Sequence, residues 1–177
     1  MYFSKFPMMV YDVKGNKNFK FLPDILKRVK IRSGLSASRF VFDKYNVKEG
    51  EKPEDVAFKY YGDPEYHWVI MMVNNITDRY YGWPMNQAQF AEYLDDKYSN
   101  PDAIHHYEVT KDSGRTTSKG PSDYSHKVEV NSDTDNAVSV SFREYEEREQ
   151  DKKRQIQLLN KSLLGDFVAE FDRLIAE

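Results

Sequence analysis

The segment over residues 47–76 restricts the possible folds of this chain more than any other. An extended apolar stretch runs into Gly50, and apolar spacing predicts a short amphipathic helix over residues 53–61. The turn sequence Gly62-Asp63-Pro64 ends this helix and starts a second one, which is apolar on most sides around Trp68. The pattern therefore predicts two short helices joined by a tight turn.

Strands are predicted on both sides of this helix pair. Residues 40–50 carry β-forming side chains, with Phe40 and Phe42 expected to point inward. Residues 79–83 are a candidate return strand, which would complete a two-stranded antiparallel sheet. A capping-box sequence then predicts a third helix over residues 86–98. The fold class expected from these elements is α+β.

After residue 99 the sequence changes to β-like character. Residues 104–110, 126–130 and 137–142 alternate or are rich in β-forming side chains, which predicts a small antiparallel β-meander. The loop over residues 111–125 is rich in Ser, Thr, Gly and Lys. Such a long polar loop is expected to be mobile, or ordered only by a partner.

The first 39 residues form an N-terminal arm with too little sequence to enclose a core of its own. Gly15-Asn16 is a turn signal that could join two short strands, and residues 24–31 have helix-like apolar spacing. An arm rich in Phe and Met is expected to bury these side chains against something else, and we favour partner proteins. The candidate protein-binding residues of the arm are Tyr2, Phe3, Phe6, Met8 and Met9.

The C-terminal segment, residues 142–177, is predicted to form one long amphipathic helix. Its first half is almost entirely charged and is expected to face solvent, whereas its second half places apolar residues at steps of three and four. A lone helix cannot hide such a stripe, so it docks either on the chain's own domain or on another subunit. We favour the second alternative. The candidate protein-binding residues of this helix are Ile156, Leu159, Leu163, Phe167, Phe171 and Leu174.

Composition argues against several classes of function. The chain of 177 residues has no Cys, which removes disulfides, thiolate nucleophiles and Cys-based zinc sites. A formal net charge of −3 provides no basic field for non-specific nucleic-acid binding. No apolar run approaches the roughly 20 residues that cross a bilayer, and the N-terminus lacks the layout of a signal peptide. We therefore expect synthesis in the cytosol, with no membrane and no nucleic acid as partner.

No catalytic or metal-binding motif stands out. His105 and His106 are adjacent, so on a strand they would point to opposite faces and could not jointly chelate a metal. Residues 114–120 fail as a phosphate loop, because the lysine precedes the second glycine. Carboxylates are abundant, but nothing selects a catalytic pair, and those of the charged run that includes Glu146 are expected to be solvated. We predict no enzymatic activity, no metal and no cofactor.

The segment over residues 47–76 resembles a LysM-type module, in which two helices pack on a two-stranded sheet. Residues 50–57 align with the pattern that leads into the first LysM helix, and the closing pattern aligns with Ile70, Val73, Asn74 and Ile76. Lys52-Pro53 replaces the capping Thr and the apolar residue after it, and Asn75 stands where Gly is common. The groove of glycan-binding LysM modules borders these altered segments. The resemblance therefore implies a LysM-like core without implying a glycan ligand.

Three further segments resemble a family of phage structural proteins. They are residues 2–7 (YFSKFP), residues 60–68 (YYGDPEYHW) and Gly82-Trp83-Pro84. They look like the baseplate wedge protein of T-even-type contractile-tail bacteriophages, and the similarity extends over the whole chain. The resemblance implies a non-enzymatic virion protein of the tail baseplate, assembled in the host cytoplasm. It also implies that this protein contacts other wedge proteins and joins neighbouring wedges around the hub.

These observations lead to one hypothesis and two alternatives. The leading hypothesis is a non-enzymatic clamp between wedge proteins, with apolar anchors at both ends of the chain. The first alternative is a module that binds peptidoglycan or chitin-type glycans, and the second is a small wall hydrolase that uses Asp or Glu. The predicted segments are an arm (1–39), a LysM-like domain with its following helix (40–99), a β region (100–141) and the terminal helix (142–177).

Overall fold

The computed structural model describes residues 5–31, 40–111 and 126–176, which form a mixed α+β structure with small antiparallel sheets. The loop for which the sequence predicts mobility lies almost entirely outside the described residues. In chain order the elements are β1 (Met8–Tyr11), β2 (Lys20–Pro23), β3 (Phe42–Asn46), α1 (Pro53–Tyr61), α2 (His67–Val73), α3 (Arg79–Gly82), α4 (Gln87–Lys97), β4 (Ile104–Lys111), β5 (His126–Val130), β6 (Val138–Ser141), α5 (Phe142–Arg154), β7 (Gln155–Leu159) and α6 (Leu164–Ala176).

The chain divides into two compact units. Unit 1 comprises Met1–Pro84 together with Arg154–Glu177, and unit 2 comprises Met85–Lys153. Unit 1 is therefore discontinuous in sequence. It contains two separate two-stranded sheets, since β1 pairs with β2 and β3 pairs with β7, both antiparallel.

Helix α1 confirms the predicted bounds of the first helix. Pro53 occupies its first position, and the Asp55 carboxylate accepts the backbone N–H of Lys52 at 3.0 Å. This bond satisfies the N–H of the N-cap residue, whereas a capping Thr would accept a backbone N–H of the first helical turn. Gly62 ends the helix in the left-handed region, with a φ of 87°. The 3₁₀ turn Pro64–Tyr66 then leads into α2.

The strand that returns beside β3 is β7, so the return strand predicted over residues 79–83 is wrong. Residues of that segment form the short helix α3, because the Asp78 carboxylate accepts the backbone N–H groups of Tyr80 and Tyr81. Strand β7 instead pairs with β3 along its full length. A strand from the far end of the chain therefore closes the sheet.

The single helix predicted over residues 142–177 is also wrong. Helix α5 ends at Arg154, the next five residues form β7, and α6 begins at Leu164. The apolar residues fit a spacing of three and four along one helix because a strand, with Ile156 and Leu158 buried, is followed by a helix. Pairing with β3 and burial of this apolar face favour the strand over a continued helix.

The buried core of unit 1 consists of two apolar clusters. The first contains Phe6, Phe42, Trp68, Val69, Leu159, Phe171 and Ile175, and the second contains Val47, Val56, Ala57, Ile70, Trp83, Ile156 and Leu158. Helix α6 thus docks on the chain's own core. The expectation that another subunit buries its apolar stripe is wrong for Phe171 and Ile175, which are 2% and 1% exposed.

The predicted N-terminal hairpin is confirmed by β1 and β2, but two neighbouring expectations fail. No helix forms among residues 24–31, because the Asp24 side chain accepts the Leu26 N–H at 3.2 Å and organises a turn there. Phe40 precedes β3 in a turn and is 92% exposed, whereas Phe42 within the strand is buried as predicted.

Unit 2 contains α4, α5 and a three-stranded antiparallel sheet. The predicted capping box of α4 is confirmed, since Asn86 Oδ1 accepts the Gln89 N–H at 2.9 Å and Gln89 Oε1 accepts the Asn86 N–H at 3.3 Å. The strand order is β5-β4-β6. The predicted meander, which would place β5 in the centre, is wrong because β4 pairs with β5 along one edge and with β6 along the other.

Candidate protein-binding surface

The hairpin of β1 and β2 starts from a base that is fixed to the core of unit 1. Phe6 directly precedes β1 and is only 7% exposed. Lys5 Nζ donates to the Asp172 carboxylate of α6 at 2.7 Å. Asp24 N–H donates to the Pro7 carbonyl at 2.8 Å, which joins the two strands of the hairpin at this end. The position of the hairpin base is therefore set by contacts with the chain's own core.

At the other end, Asp12 organises the loop that joins the strands. Its carboxylate accepts the backbone N–H groups of Lys14, Asn16 and Lys17. Desolvation acts to raise the pKa of Asp12, but these backbone donors outweigh it and hold the pKa below its usual value of 3.8. The same bonds accommodate Lys17 in the left-handed region, at a φ of 65°.

Between base and loop, the hairpin exposes a contiguous set of apolar side chains. The register places Val10 opposite Phe21 and Met8 opposite Pro23, so these four residues share one side of the sheet. We call this surface the hairpin face. Met8 is 60% exposed, Val10 54% and Phe21 73%. Contiguous exposed apolar residues make this surface a candidate protein-interaction site. Further exposed apolar residues of the same region are Tyr11, Val13, Phe19, Leu22, Ile25 and Leu26.

The predicted binding residues of the arm occupy different environments. Met8 lies on the hairpin face, Met9 is half-buried, and Phe6 is buried in the core. Tyr2 and Phe3 lie outside the described residues. Of these five residues, Met8 is therefore the most accessible described side chain.

The predicted binding residues of the C-terminal segment lie mostly in or against the core of unit 1. Ile156, Leu159 and Phe171 are buried. Leu163 and Phe167 are half-buried, and Leu174 is exposed. Leu174 is 37% exposed, whereas the two half-buried side chains pack against the first core cluster. Most of this set therefore holds unit 1 together.

Sequence reasoning missed the most exposed part of this surface. Phe21 and Leu26 are 73% and 81% exposed, but neither was predicted as a binding residue. The signal that could have found Phe21 is the alternation Phe19-Lys20-Phe21, which begins three residues after Asn16 of the turn. A strand with aromatic residues at alternate positions, in an arm without a core, presents them to solvent or to a partner.

In unit 2, the half-buried Glu108 carboxylate belongs to a structural ion-pair network. Arg148 Nη1 donates to it at 2.6 Å, His106 Nε2 lies 3.1 Å from it, and Lys127 Nζ lies 3.3 Å from its other oxygen. Desolvation acts to raise the pKa of Glu108, but these partners outweigh it and lower the pKa to about 2. The group is thus ionised and fully paired at neutral pH.

Glu146 on α5 was expected to be solvated, but it is buried at 5% exposure. Its carboxylate accepts hydrogen bonds from Lys97 Nζ and Tyr98 Oη, both at 2.7 Å. Desolvation opposes ionisation, whereas these donors favour it and leave the pKa of Glu146 lowered. The Glu146 carboxylate on the charged helix α5 can therefore be buried, because Lys97 of α4 and the following Tyr98 donate hydrogen bonds to it.

The two adjacent histidines lie together rather than on opposite faces of β4. A β-bulge at His105 interrupts the register between Ile104 and His106, and the two Nδ1 atoms lie 2.7 Å apart. The ring of His105 also stacks on Tyr145, with centroids 4.2 Å apart. No group of three metal-ligating side chains is placed to hold an ion within the described ranges.

None of the helices described by the structure is long and apolar enough to span a membrane. Among the described residues, the polar clusters stabilise the fold, and the hairpin presents a contiguous exposed apolar surface. Residues 1–119 match the family described as base plate wedge protein 53. The chain belongs to this family of non-enzymatic structural proteins of the phage tail baseplate, as the resemblance seen in the sequence implied.

A curated relative supports the family assignment. The chain is 32% identical over 103 residues to the "Baseplate wedge protein gp53" of Enterobacteria phage T4. The matched region covers 56% of this chain and 53% of that protein. The chain thus spans about half the length of this relative.

Proposed function

We propose that this chain is a clamp that joins neighbouring baseplate wedges through protein contacts, with the hairpin face as one contact surface. The observation that supports this role is the contiguous exposure of Met8, Val10 and Phe21 on a hairpin whose base is fixed to the core. Anchors in protein interfaces are apolar side chains that a partner buries completely. A rigidly based hairpin offers such anchors at little entropic cost.

We further propose that β3, α1, α2 and β7 form a LysM-like platform for these contacts. The elements follow the order strand, helix, helix, strand, and the two strands pair antiparallel. Asn74 supports this arrangement, because its side chain donates to the Gln157 carbonyl and accepts the Gln157 N–H, both at 2.8 Å. These bonds tie the end of α2 to β7. The closing strand differs from a LysM module in following the whole of unit 2 in sequence.

The same platform does not favour the glycan-binding alternative. Trp83 packs in the second core cluster, and its Nε1–H donates to the Glu51 carbonyl at 2.7 Å. The indole thereby contacts the loop before α1, which borders the groove in glycan-binding LysM modules. Titration of the chain with chitin and peptidoglycan oligomers is expected to give no saturable binding at micromolar ligand. Saturable binding in that range would favour the alternative.

The clamp proposal is tested by changing the hairpin face without changing the hairpin. The triple variant Met8→Thr, Val10→Thr and Phe21→Thr keeps β-forming side chains but removes most of the apolar surface. We expect unchanged stability and at least about tenfold lower incorporation into baseplates, because a buried apolar anchor contributes about 2 kcal/mol.

Phe58 on α1 provides a matched control, since it is also apolar and 61% exposed but lies outside the hairpin. Phe58→Gln is expected to incorporate like the unchanged chain. Immunoblotting of purified baseplates measures both variants against a wedge protein as internal standard. Normal incorporation of the triple variant would contradict a role of the hairpin face in assembly.

A further inference from the structure

The outer edge of β1 carries backbone groups that point away from β2. Because Asp24 N–H donates to the Pro7 carbonyl, these residues form a hydrogen-bonded pair, and such pairs alternate along an antiparallel ladder. The backbone groups of Met9 therefore point to β2, whereas those of Met8 and Val10 point outward. Within the described ranges, no strand pairs with this side of β1.

The opposite edge, along β2, is less suited to pairing. Pro23 lies opposite Met8 at a non-hydrogen-bonded position, so its nitrogen faces outward and carries no proton. Strand β1, Met8–Tyr11, contains no proline. A further strand can therefore form a complete ladder with β1 but only an interrupted one with β2.

A strand added to β1 would also enlarge the apolar surface of the hairpin face. Met8 and Val10 project from alternate positions of β1, and Phe21 lies opposite Val10. Apolar residues at alternate positions of the added strand would pack beside these side chains. A two-stranded hairpin is marginal in water, whereas a third strand stabilises it through both backbone bonds and side-chain contact.

The net charge of the hairpin region indicates which charge a binding segment should carry. Residues 5–31 contain seven basic and two acidic side chains, a net charge of +5, whereas the whole chain carries −3. Lys14 and Lys17 lie in the loop beyond β1, and Arg28 and Lys30 lie in the segment after β2. All four are exposed. Charge complementarity therefore favours a partner segment with acidic flanks.

We propose that the outer edge of β1 binds an acidic, extended segment of a partner protein by strand addition. This inference rests on the proposed clamp function and describes one of its contacts. The backbone of Met8 and Val10 supplies ladder hydrogen bonds, their side chains supply apolar packing, and the surrounding lysines and arginine select acidic flanks.

Amide hydrogen exchange of the full chain, free and within isolated baseplates, tests the backbone contact. The outward amides of Met8 and Val10 are expected to exchange at least about 100-fold more slowly in the baseplate. The amide of Met9, which already faces β2, is expected to change less. Equal exchange of Met8 and Val10 in both states would overturn the proposal.

A proline substitution tests the same edge by assembly. Val10→Pro removes an outward N–H without removing a bond to β2, and we expect at least about tenfold lower incorporation. Val10→Thr keeps that N–H. Pro23→Ala leaves the edge of β1 unchanged and shortens one side chain of the hairpin face. Both variants are therefore expected to incorporate better than Val10→Pro. Unchanged protection of the Met9 amide shows that the hairpin of the proline variant is intact.

Further experiments identify which molecule binds the edge of β1 and distinguish strand addition from the clamp function. The double variant Arg28→Glu and Lys30→Glu is expected to lower incorporation several-fold, and no effect would overturn the acidic character of the partner. Protection that rises with the concentration of the isolated chain would indicate a second copy instead. Protection lost on nuclease or detergent treatment would indicate nucleic acid or a membrane. If Val10→Pro incorporates normally but the Thr triple variant does not, strand addition is overturned and the clamp proposal stands. If both variants incorporate normally, the clamp role of this hairpin is overturned as well.

Discussion

The two sheets of unit 1 have the same number of strands, but one is buried by the rest of the unit and the other is exposed. In the β3–β7 sheet, Phe42, Ile156 and Leu158 are buried in the two core clusters. In the β1–β2 hairpin, every residue is exposed except Met9, which is half-buried. Pairing geometry is antiparallel in both. The chain therefore covers one sheet itself and leaves the other exposed. Stability depends on the covered sheet, whereas the binding that we propose would use the exposed one.

The largest expected difference comes from removing part of each sheet. Deletion of residues 155–177 removes β7 and α6, and with them five side chains of the two core clusters, namely Ile156, Leu158, Leu159, Phe171 and Ile175. We therefore expect unit 1 to be unfolded. Replacement of residues 8–23 by a short Gly-Ser linker is expected to leave unit 1 folded. Near-ultraviolet circular dichroism and urea unfolding distinguish the two. A folded unit 1 in the first variant would show that β7 is dispensable, contrary to this comparison.

Single core and surface substitutions give the next largest contrast. Leu158 is 1% exposed, and Leu158→Ala is expected to lower the free energy of unfolding by about 3 kcal/mol because it leaves a cavity. Phe21 is 73% exposed, and Phe21→Ala is expected to change it by less than about 0.5 kcal/mol. Urea titrations of both variants measure the difference. Comparable losses would mean that the isolated chain already buries the hairpin face.

Two carboxylates that cap the loops after β1 and β3 allow the same comparison by pH. Glu51 accepts the Lys48 N–H at 2.8 Å and the Tyr45 hydroxyl at 3.0 Å, and it pairs with Lys59. Desolvation acts to raise the pKa of Glu51, but these donors outweigh it and hold the pKa below 4.5. A lowered folded-state pKa contributes stability that is fully present above 4.5 and is lost as the pH falls through the lowered value.

We therefore expect Glu51→Gln to lower the stability of unit 1 by about 2 kcal/mol at pH 7, and this deficit to shrink as the pH falls below about 4.5. Asp12 has a lowered pKa of the same sign, but its effect is expected to stay within the hairpin. Asp12→Asn should accelerate exchange of the Lys17 amide and leave the urea midpoint unchanged. A shift of that midpoint would show that the hairpin and the core unfold together.

The smallest expected effects come from two left-handed residues, one beside each sheet. Asn75 follows α2 with a φ of 54°, and Lys17 lies in the hairpin loop with a φ of 65°. Asn75→Gly is expected to raise the free energy of unfolding by about 0.5 kcal/mol, since glycine adopts this region without steric cost. Lys17→Gly is expected to slow amide exchange in the hairpin only. Differential scanning calorimetry and hydrogen exchange resolve the two.

The elements that sequence predicted well are those specified by neighbouring residues. Pro53 and Gly62 fixed the ends of α1, and Asn86 with Gln89 fixed the start of α4. Asn75 ends the segment after α2 in the left-handed region, at a φ of 54°, a conformation that favours Gly or Asn. Each of these features depends on a local hydrogen bond or a local dihedral preference, which a short stretch of sequence contains.

The elements that sequence failed to predict depend on distant partners. Residues 155–159 have spacing that fits either a strand or the start of a helix, and only pairing with β3 decides between them. Glu146 has the sequence context of a surface residue, and only Lys97 and Tyr98 explain its burial. The hairpin face was partly foreseen at Met8, but Phe21 was missed because the turn signal was not combined with the aromatic alternation after it.

The fixed base of the hairpin has a consequence for the order of synthesis. Lys5 and Phe6 leave the ribosome before α6 does, but Lys5 pairs with Asp172, and Phe6 packs in the same cluster as Phe171. The hairpin therefore cannot acquire its final base until α6 has been translated. A chain interrupted before that point would carry the apolar strands on an unanchored arm, with the higher ordering cost of a flexible ligand. With the hairpin face as a contact surface, as we propose, assembly would thus discriminate against chains that lack α6.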